Sequence, residues 1–175
     1  MDKPRREFLK QDVIYTAVYG IYLEKLAEKG SYSAEERKEI LVIACSIWRN
    51  FNKYFSNNVY LERWRFVKPR RKSIILNHKD SYSKHGYNLV KDINTAEIEA
   101  DDLKIRLLST KSAAYLDFAE KQAIPKAKPW IRKALELDPD NPNTNRVMGK
   151  ICFMQNLRRK GKTYFKKADN LQKKA

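Results

Sequence analysis

Lys133-Ala-Leu-Glu-Leu-Asp-Pro-Asp-Asn-Pro142 reads as the end of one helix and the beginning of the next. Leu135 closes an apolar row begun by Ile131, Asp138-Pro139 stops the helix because proline disfavours helical backbone at the residue before it, and Asn141-Pro142 supplies a cap followed by a proline at the first helical position. Upstream, Pro125 and Pro129 punctuate the preceding helix, which is expected to start near Lys126 with Pro129 in its first turn, where no intrahelical amide bond is lost.

A period of about 34 residues becomes visible around this joint. Ala127, Ile131, Ala134 and Pro139 recur one period later as Gly161, Phe165, Ala168 and Lys173. Small, large apolar and small positions in that order let two antiparallel helices approach closely. Met148-Gly149 followed by Cys152 adds a large-small-large pattern to the helix between them. These residues resemble the tetratricopeptide repeat family, as two repeats over residues 108–175. The first repeat departs from the pattern, with Ala114 and Tyr115 where the family has a large and a small residue.

The resemblance implies a short α-solenoid that binds a protein or peptide on the face lined by first helices. That face would present Asn143, Arg146, Lys150 and Phe153 from the second repeat and Leu116 and Glu120 from the first. Arg146 and Lys150 favour an acidic peptide. The family's clamp for acidic tails is not carried over, because its Lys and Asn positions recur in only one repeat.

Before the repeats, residues 6–28 read as a helix whose apolar positions Val13, Ile14, Ala17, Val18, Ile21, Tyr22 and Leu26 nearly encircle its axis, which predicts burial on more than one side. Gly30 ends it, and Ser33-Ala34-Glu35-Glu36 has capping-box spacing for a second helix reaching about Asn57. Ile40, Ala44, Ile47, Trp48, Phe51 and Phe55 form the stripe that should seal the two helices into an antiparallel hairpin. Asn94 caps a further long helix running to Gln122 in this reading. The chain is thus expected to be all-α: a helical hairpin at 1–57, a basic connector or insertion at 58–93, and a long helix with two repeats at 94–175.

The formal charge of +16 points to an anionic partner, and it is unevenly spread. Residues 58–93 carry a net +6 and residues 123–175 a net +10, whereas residues 94–122 carry −2. In the connector Arg63, Trp64, Arg65, Phe66, Lys68, Arg70, Arg71 and Lys72 could neutralise phosphates while an aromatic ring stacks on an unpaired base. Arg158, Arg159 and Lys160 could extend that footprint. A solvated basic connector explains the same residues, as does a nuclear-localisation cluster at Lys68 to Lys72.

Enzyme signals are weak. His78 and His85 lack zinc-ligand spacing and read as loop histidines; Cys45 and Cys152 read as buried free thiols. No phosphate loop or nucleophile motif appears, and no metal or cofactor is implied. The apolar run Val13 to Leu23 is too short for a membrane span and lacks the features of a cleaved signal, so the expected setting is the cytoplasm, with the nucleus as the alternative. The expected function is a non-enzymatic scaffold or adaptor; the alternative is an RNA- or ribosome-associated basic protein. The uncovered end of the last helix pair leaves room for an oligomer or larger assembly.

Overall fold

The computed structural model describes the backbone of residues 3–55 and 82–173, and side chains over 15–51 and 83–173. Among the described residues the chain is all-α, and it divides into two compact units, Met1–Val90 and Lys91–Ala175. No helix is long and apolar enough to cross a membrane among these residues.

The first unit packs α1 (Lys3–Glu28), α2 (Ala34–Phe55) and α3 (Tyr82–Val90), with α2 touching both of the others. The expected capping box forms: the Ser33 amide donates to Glu36 Oε2 at 2.7 Å and the Glu36 amide donates to Ser33 Oγ at 3.2 Å. The Ser33 backbone amide, and after it the Ser33 side chain, hold the Glu36 carboxyl below its usual range. Arg37 Nε donates to the Ala27 carbonyl at 2.9 Å, which ties the start of α2 to the end of α1 and makes the pair antiparallel.

Trp48 is the centre of this unit. Its indole is fully buried, lies against Gly20, meets Phe51 edge-on at 5.6 Å between ring centroids, and donates to Glu24 Oε1. His85 Nε2 reaches the same carboxylate oxygen at 2.9 Å, and its ring stands edge-on to Trp48 at 5.2 Å. One carboxylate therefore joins all three helices. A methyl group on Gly86 would lie 2.8 Å from the Cys45 carbonyl oxygen, so only glycine permits this approach of α3 to α2.

Two expectations change here. Residues 82–90, placed in an irregular connector, are helical and belong to the first unit, and His85 is a half-buried packing residue where an exposed loop histidine was expected. His78 lies outside the described residues. Among the described side chains of α1, from Tyr15 on, Ala17, Leu23 and Ala27 are buried while Tyr15, Val18, Tyr19 and Tyr22 are exposed. Those four recur at i, i+3, i+4 and i+7 and so share a face that neither α2 nor α3 covers.

The second unit opens differently from the long helix expected from Asn94. Asn94 Oδ1 accepts from the Ala96 amide at 3.0 Å, but it caps only a short 3-10 turn, Thr95–Glu97. Ile98 is extended and buried, and that insertion resets the chain before α4 (Asp101–Ala119) begins. A second 3-10 turn, Glu120–Ala123, leads into α5 (Ile124–Leu137). Pro125 thus occupies the first turn and Pro129 sits inside the helix, one turn later than expected. Both prolines are on the solvent side, where water can satisfy the carbonyl that Pro129 leaves unbonded.

The opening joint behaves as its residues require. The Asp138 amide closes α5 on the Ala134 carbonyl at 3.0 Å. Asn141 Oδ1 then accepts from the Thr144 amide at 3.0 Å, with Pro142 at the first turn of α6 (Pro142–Met154). Asn145, almost fully buried, donates to the Pro139 and Asn141 carbonyls at 2.8 and 2.9 Å, which folds the joint onto itself. A left-handed Asn156, φ 62°, ends α6; the Leu157 amide reaches the Cys152 carbonyl at 2.8 Å and the Asn156 amide reaches Phe153 at 3.0 Å. This double bond pattern stops one helix and launches α7 (Arg158–Gln172).

Helices α4 and α5 pack as one pair and α6 and α7 as another, and α6 lies on both α4 and α5. Leu116, Ala123, Ala127, Ile131, Met148, Ile151 and Cys152 form the shared core. A buried hydroxyl pair, Ser109 with Thr144 at 2.8 Å, joins α4 to α6. Cys45 and Cys152 are both buried, and neither is in a disulfide.

Candidate partner-binding surface

Helix α6 places Asn143, Arg146, Lys150 and Phe153 three or four residues apart, which keeps them near one side of it. Their surroundings differ. Asn143 is exposed, whereas Arg146 donates through one guanidinium nitrogen to Asp169 Oδ1 at 2.8 Å and Gln172 Oε1 at 2.7 Å, both on α7. Lys150 pairs with Asp117 on α4. The two cations expected to meet an acidic partner are therefore neutralised from within the unit, in pairs that stay accessible to water and are worth about 0–1 kcal/mol each.

Phe153 lies over Gly161 and against the Phe165 ring at 5.6 Å, with 38% of its surface exposed. Leu116 is a correction: it is 1% exposed, within the core cluster, and lines no surface. Glu120 is exposed at the end of α4 with φ 46°, a backbone conformation strained for a residue with a side chain. The expected six-residue face is thus not one surface.

Arg158, Arg159 and Lys160 occupy the first turn of α7 and are exposed. The connector residues Arg63, Trp64, Arg65, Phe66, Lys68, Arg70, Arg71 and Lys72 lie outside the described residues.

A cleft of about 280 Å³ opens between α5, α6 and α7. Its apolar wall is Leu135, Met148, Cys152 and Leu157, and its charged rim is Lys128 and Arg132 from α5 and Lys160 from α7, opposed by Glu136. Gln155 and Tyr164 complete it. Lys128 Nζ donates to Gln155 Oε1 at 3.0 Å and keeps further donors for another group. Of these residues the sequence reading singled out only Lys160 as a site residue. The available signal was the one-turn spacing of Lys128 with Arg132 and of Lys160 with Tyr164, which sets two rows on two helices.

Lys111 is the one buried lysine among the described residues of this unit. It is 8% exposed, donates to the Lys91 carbonyl at 2.6 Å and sits 4.8 Å from the centre of the Trp130 ring. Burial lowers its ammonium below the usual value of 10.5, against a smaller opposing pull from Asp92. Its contacts hold the start of the unit onto α4 and α5, a structural role. Among the described residues no group of three or more His, Cys, Asp or Glu is arranged to hold a metal ion.

Comparison with known proteins finds no family model, no curated protein and no solved structure that matches this chain.

Proposed function

We propose that the Lys91–Ala175 unit is a non-enzymatic interaction module, built from two tetratricopeptide-like helix pairs, that takes an acidic segment of another protein. The observation that carries this reading is the division of charge within the unit. Arg146, Lys150 and Lys167 are each paired with an aspartate, while the cleft cations Arg132 and Lys160 have no carboxylate partner among the described residues. Unpaired cations that share a cleft with the exposed Leu157 suit a partner that brings both carboxylates and apolar side chains. The equivalent burial of Ala127, Ile131 and Ala134 in α5 and of Gly161 and Ala168 in α7 supports the repeat reading.

The alternative is an RNA- or ribosome-associated protein. Its specific support is the run of three consecutive exposed cations that opens α7. Affinity capture with the full chain, with and without nuclease, separates the two. A protein partner retained at constant stoichiometry after nuclease treatment is the expected result; loss of all captured protein on nuclease treatment would replace this reading with the RNA one.

A further inference from the structure

Resting on that reading, we infer that the cleft between α5, α6 and α7 is the contact site, and that its ligand is a short protein segment with an aliphatic side chain flanked by carboxylates. The wall and the rim demand different chemistry. Met148 and Leu135 offer an aliphatic and thioether surface with room for one side chain in about 280 Å³. Arg132 and Lys160 approach from two different helices, so two carboxylates on either side of the anchor could each meet one cation. Lys128 adds donors on the same rim.

Charge arithmetic favours an anion here over the α6 face. A carboxylate arriving at Arg146 or Lys150 meets a cation whose charge Asp169 or Asp117 already offsets, whereas one arriving at Arg132 or Lys160 meets a cation without such a partner among the described residues. Single-stranded RNA fits the cleft less well. Base stacking needs exposed aromatic faces, and Tyr164, half-buried, is the only aromatic residue lining it.

Glu136 sets the polarity of the site. It lies one helical turn beyond Arg132 on the same rim and repels a carboxylate placed next to it, which favours a segment whose acidic residues approach from the side of Lys128 and Lys160.

The test is fluorescence anisotropy of the full chain with a labelled synthetic peptide carrying one Leu between Asp and Glu residues, beside a Leu-to-Ser version and labelled poly(U). Arg132→Glu and Lys160→Glu are each expected to weaken peptide binding by about tenfold, equivalent to about 1.4 kcal/mol. Arg146→Glu should leave it within twofold, and the Ser peptide should bind several-fold more weakly. Arg132→Gln and Lys160→Gln serve if a charge reversal unfolds the unit. Peptide binding that survives changes at Arg132 and Lys160 but falls with Arg146→Glu would overturn the cleft and leave the interaction module standing. No peptide binding with retained poly(U) binding would overturn both.

Discussion

The two helix pairs of the second unit solve packing differently. In α4/α5 the inward row Ala127, Ile131 and Ala134 is completely buried, and Tyr115 fills the first-helix position with a ring that meets Phe118 at 5.2 Å and Trp130 at 6.2 Å. In α6/α7 the corresponding first-helix position is Gly149, facing Gly161, with Phe165 only half-buried. A side-chain carbon on Gly149 would lie 3.1 Å from the Phe165 ring and 3.3 Å from the Gly161 carbonyl oxygen. The first pair is thus closed by side chains and the second by backbone proximity. That difference comes from position in the stack: the first pair is covered by α6, while α7 packs chiefly on α6 and keeps an open outer face.

The largest test of this contrast is Ile131→Ala against Phe165→Ala. Ile131 has neighbours on every side and should cost about 2–5 kcal/mol. Phe165 already meets water, so its truncation should cost less than half as much. Urea unfolding followed by hydrogen exchange on α4 to α7 reads both; equal costs would erase the distinction.

The glycine pair sharpens the backbone half of the comparison. Gly149→Ala is expected to destabilise by about 1–2 kcal/mol, because Phe165 and a carbonyl stand in the way and overpacking outweighs the gain in helix propensity. Gly161→Ala would drive its side-chain carbon into the Phe153 ring and to 3.2 Å from the Gly149 carbonyl oxygen, a tighter fit than at Gly149, so it should destabilise by at least as much, about 1–3 kcal/mol. Thermal unfolding of the two variants side by side orders them.

Lys111 belongs to the tightly covered pair and gives it a pH signature. Its folded-state ammonium loses its proton at lower pH than in the unfolded chain, so the unfolded chain binds more protons in the window from the lowered value up to 10.5. Stability from this group therefore rises with pH across that window. Lys111→Met should flatten the rise relative to wild type in denaturation at stepped alkaline pH. The smallest effect is expected at Arg146→Gln, which breaks an exposed pair with Asp169 and should cost under about 1 kcal/mol in the same assay.

Much of this architecture is written in short-range residue chemistry. Ser33 and Glu36 announce a helix start, Asp138 to Pro142 announces a joint, and the 34-residue recurrence of Ala127, Ile131 and Ala134 marks which side of α5 and α7 turns inward. Each depends on groups within a turn or on a fixed period, so the linear order contains the needed information. Ile98 escaped that logic: it is buried in extended backbone, which breaks the long helix expected from Asn94, and burial is not set by the residues within a turn of it.

The candidate site was much less legible. Helical spacing shows that Arg146 and Lys150 are neighbours but cannot show that Asp169, 23 residues later, and Asp117, 33 residues earlier, already hold them. Leu116 likewise falls at a groove position by register and inside the core by packing. His85 and Glu24 are 61 residues apart and meet only because Gly20 and Gly86 let three helices close around Trp48 and Cys45. By itself the sequence determined the helical class and the caps at Ser33 and Asn141, since these are local. Only tertiary structure decided which cations remain unpaired and which apolar faces stay open, because charge pairing and burial are settled by whichever helix arrives alongside.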